Sequence, residues 1–188
     1  MRLTEDRYNR DRQRHDLALR FIRHEARTGT TCIWTGLSGD RIRKLYRTYA
    51  VGSVREPVVR HRGRSPRQID FFLRSPQIRQ EAAIFASACQ LFGLLPSSRL
   101  ADASRVLPSI QRGEALCEAY ETYQRLIPTT RISFEHAVFL VIALADGEEL
   151  STSACVECTG LTVVDTLAPG LRRCLVCETG AGQFQLHS

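Results

Sequence analysis

Several things are scarce in this sequence, and each scarcity excludes a class of protein. No apolar run approaches the roughly 18 residues that a membrane-spanning helix needs. The longest, AVFLVIALA from Ala137 to Ala145, is half that length. The opening stretch MRLTEDRYNRDRQRHD is charged and has no apolar segment, so no secretory signal is expected. Catalytic signatures are missing as well. There is no P-loop, no dinucleotide fingerprint, no G-x-S-x-G and no H-E-x-x-H. The five histidines, His15, His24, His61, His136 and His187, are scattered, and His136 opens an apolar helix where a packing role fits better than a base. A cytoplasmic chain that binds rather than catalyses is the expectation. In a reducing cytosol, paired cysteines are read as metal ligands before disulfides.

Lysine is the scarcest charged residue. Of 26 basic residues, 25 are Arg and only Lys44 is Lys. Arg suits planar, bidentate contacts to phosphate and guanine, although GC-rich coding also raises its share. The placement of charge does not depend on that ratio. Residues 1–79 hold 19 basic against 8 acidic side chains, a net +11, whereas residues 80–188 are net −5. A basic half of this strength predicts an acidic partner, of which nucleic acid is the commonest.

What is present reads as helix. Hydrophobic residues make up 43% of the chain, enough for a packed core. The spacing predicts a first helix over about Glu5 to Ala26, with Leu17, Phe21 and Ile22 on its apolar face and Ala18 beside them. A short helix and a turn follow, then a helix over about Gly39 to Tyr49. Core helices are expected within residues 77–146: Gln77 to Leu94 before Pro96, Gly113 to Leu126 before Pro128, and a buried helix capped by Ser133 and ended by Gly147. Glu135 suits the first turn of that last helix. Only LTVV, Leu161 to Val164, has strand character. The expected fold class is mainly α: a helical domain over residues 1–148, a cysteine module over 149–180 and a polar tail over 181–188.

Residues 28–49 fit a helix-turn-helix. Cys32 is the small residue where two helices pack, Gly36 the turn, and Leu37, Ile42 and Leu45 the buried contacts. Ile42, Leu45, Tyr46 and Tyr49 fall in one stripe of the second helix, and Arg43, Lys44 and Arg47 point away from it. The plainer alternative is an amphipathic helix with a solvated basic face. On the DNA-reading alternative, the candidate contacts on this helix are Asp40, Arg41, Arg43, Lys44 and Arg47. Asp40 would accept from a cytosine amino group and Arg43 would bind guanine, with Lys44 and Arg47 on phosphates. Residues 50–68 read as a basic loop. Its Arg60, Arg62, Arg64 and Arg67, on a flexible arm broken by Gly63 and Pro66, would meet phosphates. A solvated loop is the alternative.

The cysteine module is the sharpest signal. In CVECTGLTVVDTLAPGLRRCLVC two Cys-x-x-Cys pairs, Cys155/Cys158 and Cys174/Cys177, are separated by fifteen residues, a zinc-ribbon spacing. Four thiolates complete a tetrahedron around one Zn²⁺ and leave no open position for water, so the expected role is structural. Arg172 and Arg173 are expected to help offset the formal −2 of such a site. Cys32, Cys89 and Cys117 lie on apolar helix faces and read as small hydrophobes.

Four segments in this order, TGLSGDRIRKLYR, RGRSPRQIDFFLRSPQIRQEA, FEHAVFLVIALADGEEL and the paired cysteines, together resemble the FlhC family. That family supplies one subunit of the FlhD–FlhC flagellar transcriptional activator. The resemblance spans about residues 10–178. It implies a mostly helical DNA-binding protein with one zinc on the four cysteines above. It also implies a hetero-hexamer with an FlhD-type subunit that activates flagellar operons, on double-stranded promoter DNA, with σ70 RNA polymerase holoenzyme. Many members of the family carry a basic C-terminal tail, whereas ETGAGQFQLHS here has no Lys or Arg. The competing expectation from the residues alone is an RNA- or ribosome-associated zinc-ribbon protein, which would prefer single strands.

Overall fold

The computed structural model describes residues 2–52, 58–96, 108–168, 170 and 172–180. The expected tail, 181–188, and residues 53–57 of the basic loop lie outside them. The fold is mainly α-helical: α1 (Arg2–Arg23), α2 (Thr28–Thr35), α3 (Gly39–Gly52), α4 (Asp70–Leu73), α5 (Pro76–Leu91), α6 (Ile110–Leu126), α7 (Phe134–Asp146), β1 (Leu150–Ala154), β2 (Leu161–Asp165) and α8 (Leu175–Glu178). No described helix is long and apolar enough to cross a membrane.

The helix ends follow local chemistry. Ser75, Ser109 and Ser133 each accept a hydrogen bond from the backbone N–H three residues on, at 3.3, 3.2 and 3.4 Å, which satisfies one of the donors orphaned at a helix start. Pro76 follows Ser75 at the first helical position, where its missing N–H costs nothing. The cap at Ser109 starts α6 three residues before the expected Gly113. Gly113 instead serves packing: a Cβ there would stand 2.6 Å from Leu17 Cδ2, so only glycine lets α1 approach α6 this closely. At the other ends, α5 stops at Leu91 rather than Leu94, because Gly93 turns left-handed and Leu94 N–H reaches back to Cys89 O. The first helix likewise ends at Arg23, not Ala26, since Glu25 takes φ 59° and Ala26 N–H bonds to Phe21 O.

Two apolar clusters form. The larger gathers α5, α6, α7 and the sheet around Phe85, Tyr123, Phe134 and Leu140. Its rings meet edge-on, Phe21 on Phe134 at 4.9 Å and Tyr120 on Phe134 at 5.1 Å, an arrangement the aromatic quadrupole favours. The smaller joins α1 to α3 through Ala18, Ile22, Leu37, Ile42 and Tyr46, with Cys32, Leu45, Tyr49 and Val58 partly buried against it. Helix α1 serves both: Leu17 and Phe21 face the large cluster, Ala18 and Ile22 the small one. From Ala137 to Ala145, helix α7 is buried or partly buried as expected, except at Ile142, which is 42% exposed.

The buried carboxylates among the described residues are hydrogen-bonded. Glu81, 3% exposed, accepts from Tyr123 Oη at 2.5 Å and from Arg131 N and Nη1 at 2.8 Å. Arg20 clasps Glu114, Glu118 and Glu121 of α6 at 2.6, 2.6 and 2.8 Å. Removing one partner of such a set leaves an uncompensated charge and is strongly destabilising.

The expected strand at Leu161 to Val164 is present, and it has a partner that the sequence reading misses. β1 pairs antiparallel with β2 in the register Leu150↔Asp165 to Ala154↔Leu161. The sheet lies against α5, and Leu150 and Val163 are buried in the large cluster. The cysteine module therefore shares the helical core.

Candidate metal centre and basic face

The four cysteines come together. Cys155 follows β1, and its N–H donates to Gly160 O at 2.8 Å while Thr159 N–H donates back to Cys155 O at 3.0 Å, closing a tight loop. Thr159, with φ 60°, takes the left-handed residue of this turn. Gly180, φ 67°, serves the second pair. Cys174 caps α8 and Cys177 lies on it one turn later. All four sulfurs lie within 4.8 Å of one another, and Cys158 Sγ and Cys174 Sγ are 3.5 Å apart. A tetrahedron with metal–sulfur bonds of about 2.3 Å has edges of about 3.8 Å. The donor set fits one soft cation.

The local field also suits a cation. Backbone N–H groups of Cys158, Cys174 and Glu157 aim at Cys155, which is 2% exposed, and pull its pKa down to about 6. The hydrogen bond with Cys174 does most to push Cys177 up. Among four crowded thiols one ionises readily and the next resists, and a bound cation removes that conflict. Arg173 pairs with Glu157 at 2.7 Å, so its charge is already matched. Arg172 contributes its carbonyl, which accepts from Val156 N–H at 2.9 Å. The site borders a cleft of about 580 Å³ between α5 and β2, lined by Ala83, Ile84, Leu161, Val163 and Leu175. Cys89 and Cys117 are buried, and burial raises both thiols. Cys32 is partly exposed and its thiol is also raised by desolvation.

The predicted basic residues lie on α3 and on the described part of the loop from Val58 onward, both packed against the small cluster. Gly36 closes α2 in the left-handed conformation, φ 69°, with its N–H on Cys32 O. Leu37 and Ile42 are buried there and Leu45 partly so, while Arg43, Lys44 and Arg47 are exposed. Two of the expected contacts are engaged with each other. Asp40, 94% exposed, pairs with Arg43 at 3.0 Å, and Arg43 Nε donates to Gly39 O at 3.1 Å. Arg41 turns toward α1, where it binds Asp11 at 3.1 Å and His15 at 2.7 Å. Its guanidinium, by hydrogen bonding, lowers the Asp11 carboxyl below the usual carboxylate range.

The described part of the basic loop is anchored, whereas a flexible arm was expected. Val58 packs on the small cluster. Glu25 accepts from Val59 N–H at 3.1 Å and meets His61 Nε2 at 2.8 Å. Arg27 Nη1 donates to Arg62 O at 2.7 Å, and Thr30 Oγ1 meets Ser65 Oγ at 3.2 Å. With its main chain held, Arg60, Arg62, Arg64 and Arg67 remain exposed. Arg60 lies over the Tyr46 ring at 5.8 Å and within 3.5 Å of Thr28 Oγ1. The corner itself is braced by Glu135, 6% exposed, which accepts from Arg27 N at 2.6 Å and Thr30 Oγ1 at 2.9 Å. Glu25, Arg27 and Thr30 have no sequence signal as anchors, since their partners lie more than thirty residues away.

No family model matches this chain, and a search of curated proteins returns no match. The resemblance described above rests on the quoted segments alone.

Proposed function

We propose that this chain is an FlhC-like DNA-binding transcription activator. Helices α2 and α3 are its helix-turn-helix, and one Zn²⁺ on Cys155, Cys158, Cys174 and Cys177 has a structural role. The observation that carries this reading is the continuity of the left-handed Gly36 turn, the outward Arg43, Lys44 and Arg47, and the anchored arginine loop. A recognition helix offers its N-terminal residues to base edges. Here that end holds the Asp40–Arg43 pair, and opening it would free an acceptor for cytosine and a fork for guanine. Lys44, Arg47 and the loop arginines supply phosphate contacts, which position without specifying. The cysteine centre, when loaded with zinc, supplies four bonds that fix the two turns. The chain's own residues then hold β1, β2 and α8 against α5. The proposal extends to an FlhD-type subunit in a hetero-oligomer, to RNA polymerase holoenzyme as the target of activation, to flagellar operons and to the cytoplasm.

The test is duplex binding by the chain with and without an FlhD-type subunit, followed by footprinting. A protected duplex site in the complex is expected. Arg43→Ala should weaken specific binding by about 1–3 kcal/mol and relax base preference at one position. Preference for single-stranded RNA over duplex DNA would replace this reading with the RNA-associated one.

A further inference from the structure

We propose that Glu25, an acidic residue, is a positioning residue for nucleic-acid binding: it latches the arginine loop against the α1–α2 corner so that Arg60 stands beside Arg43 on one phosphate-facing surface. The inference rests on the DNA-binding reading and deepens it. Both Glu25 oxygens are used on the loop, Oε1 for Val59 N–H and Oε2 for the His61 ring. The residue reaches the loop because the chain leaves α1 in a left-handed turn there, φ 59°. A non-glycine residue held in that conformation marks a place where the surrounding structure over-determines the backbone. Beyond the latch, Arg60 Nη2 approaches Thr28 Oγ1 at 3.5 Å. Gly39 also adjoins Thr28: a Cβ there would lie 3.9 Å from Thr28 Cγ2 and 3.3 Å from Arg43 Nη2. The guanidinium of the loop and that of α3 thus both lie near the Thr28–Gly39 contact. Arg62 is held through its carbonyl by Arg27, which leaves its side chain outward. Ordering these arginines before binding removes an entropy cost that a loose loop would meet on DNA.

The sign of the effect makes the proposal sharp. On charge alone, neutralising Glu25 beside a phosphate-binding face should strengthen DNA binding. Two neutral variants separate charge from latch. Glu25→Gln keeps an acceptor for Val59 N–H and a donor for His61. Glu25→Gly deletes the latch, and glycine takes φ 59° without strain, so the fold is retained. Binding to random-sequence duplex DNA at low salt should fall about five- to tenfold for Glu25→Gly, with a shallower salt dependence, and stay at or above wild type for Glu25→Gln. Limited trypsin cleavage after Arg60, Arg62 or Arg64 should rise at least about fivefold in the glycine variant only, at an unchanged thermal midpoint. Equal affinity of the two variants, in either direction, overturns the latch, and so does unchanged cleavage. A wild-type chain that ignores duplex DNA removes the functional reading instead, and the trypsin comparison then decides the latch by itself.

Discussion

The two apolar clusters hold their polar surroundings in different ways. The large one carries its charges inside, with Glu81 and Glu135 almost fully buried and every carboxylate oxygen bonded. The small one carries them outside, as the exposed pairs Arg41–Asp11 and Arg43–Asp40. Inside, a hydrogen-bonded carboxylate specifies which elements meet. Outside, screened by water and salt, a pair contributes little to stability and is readily exchanged for another partner. On the proposed function the contrast suits a division of labour: one cluster is built to persist, and the other displays side chains that would change partners on a polyanion.

The strongest way to break this comparison is at the cysteine centre, which is attached to the large cluster. On the proposed zinc role, Cys174→Ser, or a chelator, should unfold β1 and β2 and lower the thermal midpoint by more than about 10 °C, since a structural zinc contributes folding free energy outright. Hydrogen exchange should localise the loss to 150–180, and DNA binding should fall only as a consequence. A midpoint that ignores the chelator would show the centre to be dispensable. Next come matched truncations of the two cores. Phe85→Ala should cost about 3–5 kcal/mol and Ile42→Ala about 2–4 kcal/mol in urea unfolding. The sharper reading is where the damage spreads. Exchange protection in α6 and α7 should survive Ile42→Ala and should not survive Phe85→Ala.

The smallest effect concerns pH. Burial lowers the His24 pKa below its ordinary 6.5, against the opposing pull of Glu121. Its ring stacks on Phe134 at 5.0 Å. A group whose folded pKa is depressed stabilises above its unfolded pKa and loses that contribution as pH falls toward the folded one. Stability should therefore decline as pH drops below about 6.5, and His24→Gln should flatten that decline by under about 1 kcal/mol. His136, also lowered by burial, would keep part of the slope. An acid limb unchanged by His24→Gln would assign the decline to His136 and the carboxylates.

How much could be read beforehand divides along the same line. The Ser133 cap, the Gly36 turn, the apolar stripe of α3 and the paired cysteines are local chemistry, and their positions follow from spacing alone. β1 was hidden because LSTSA is short and polar, and it becomes a strand only when β2 and α5 receive it. The early stop of α5 at Gly93 was masked by the apolar pair Leu94 and Leu95 that follows. At the basic face the residues were visible and their engagements were not. Nothing in GDRIRK tells that Asp40 takes Arg43 or that Arg41 leaves for α1. Nor does RHRGR tell that its backbone is tied to Glu25 and Arg27.

Helix α1 has a consequence for how this protein can change over generations. Leu17 and Ala18, and again Phe21 and Ile22, point about 100° apart into different cores. A rotation that relieves crowding on one side opens a gap on the other, so the helix cannot turn to absorb a substitution. A new side chain at position 17 must be answered within the large core, as by Gly113, which already yields its whole side chain to Leu17. One at position 18 must be answered from α2 or α3. The two cores can therefore vary separately, while the helix between them is held to a narrow set of sequences.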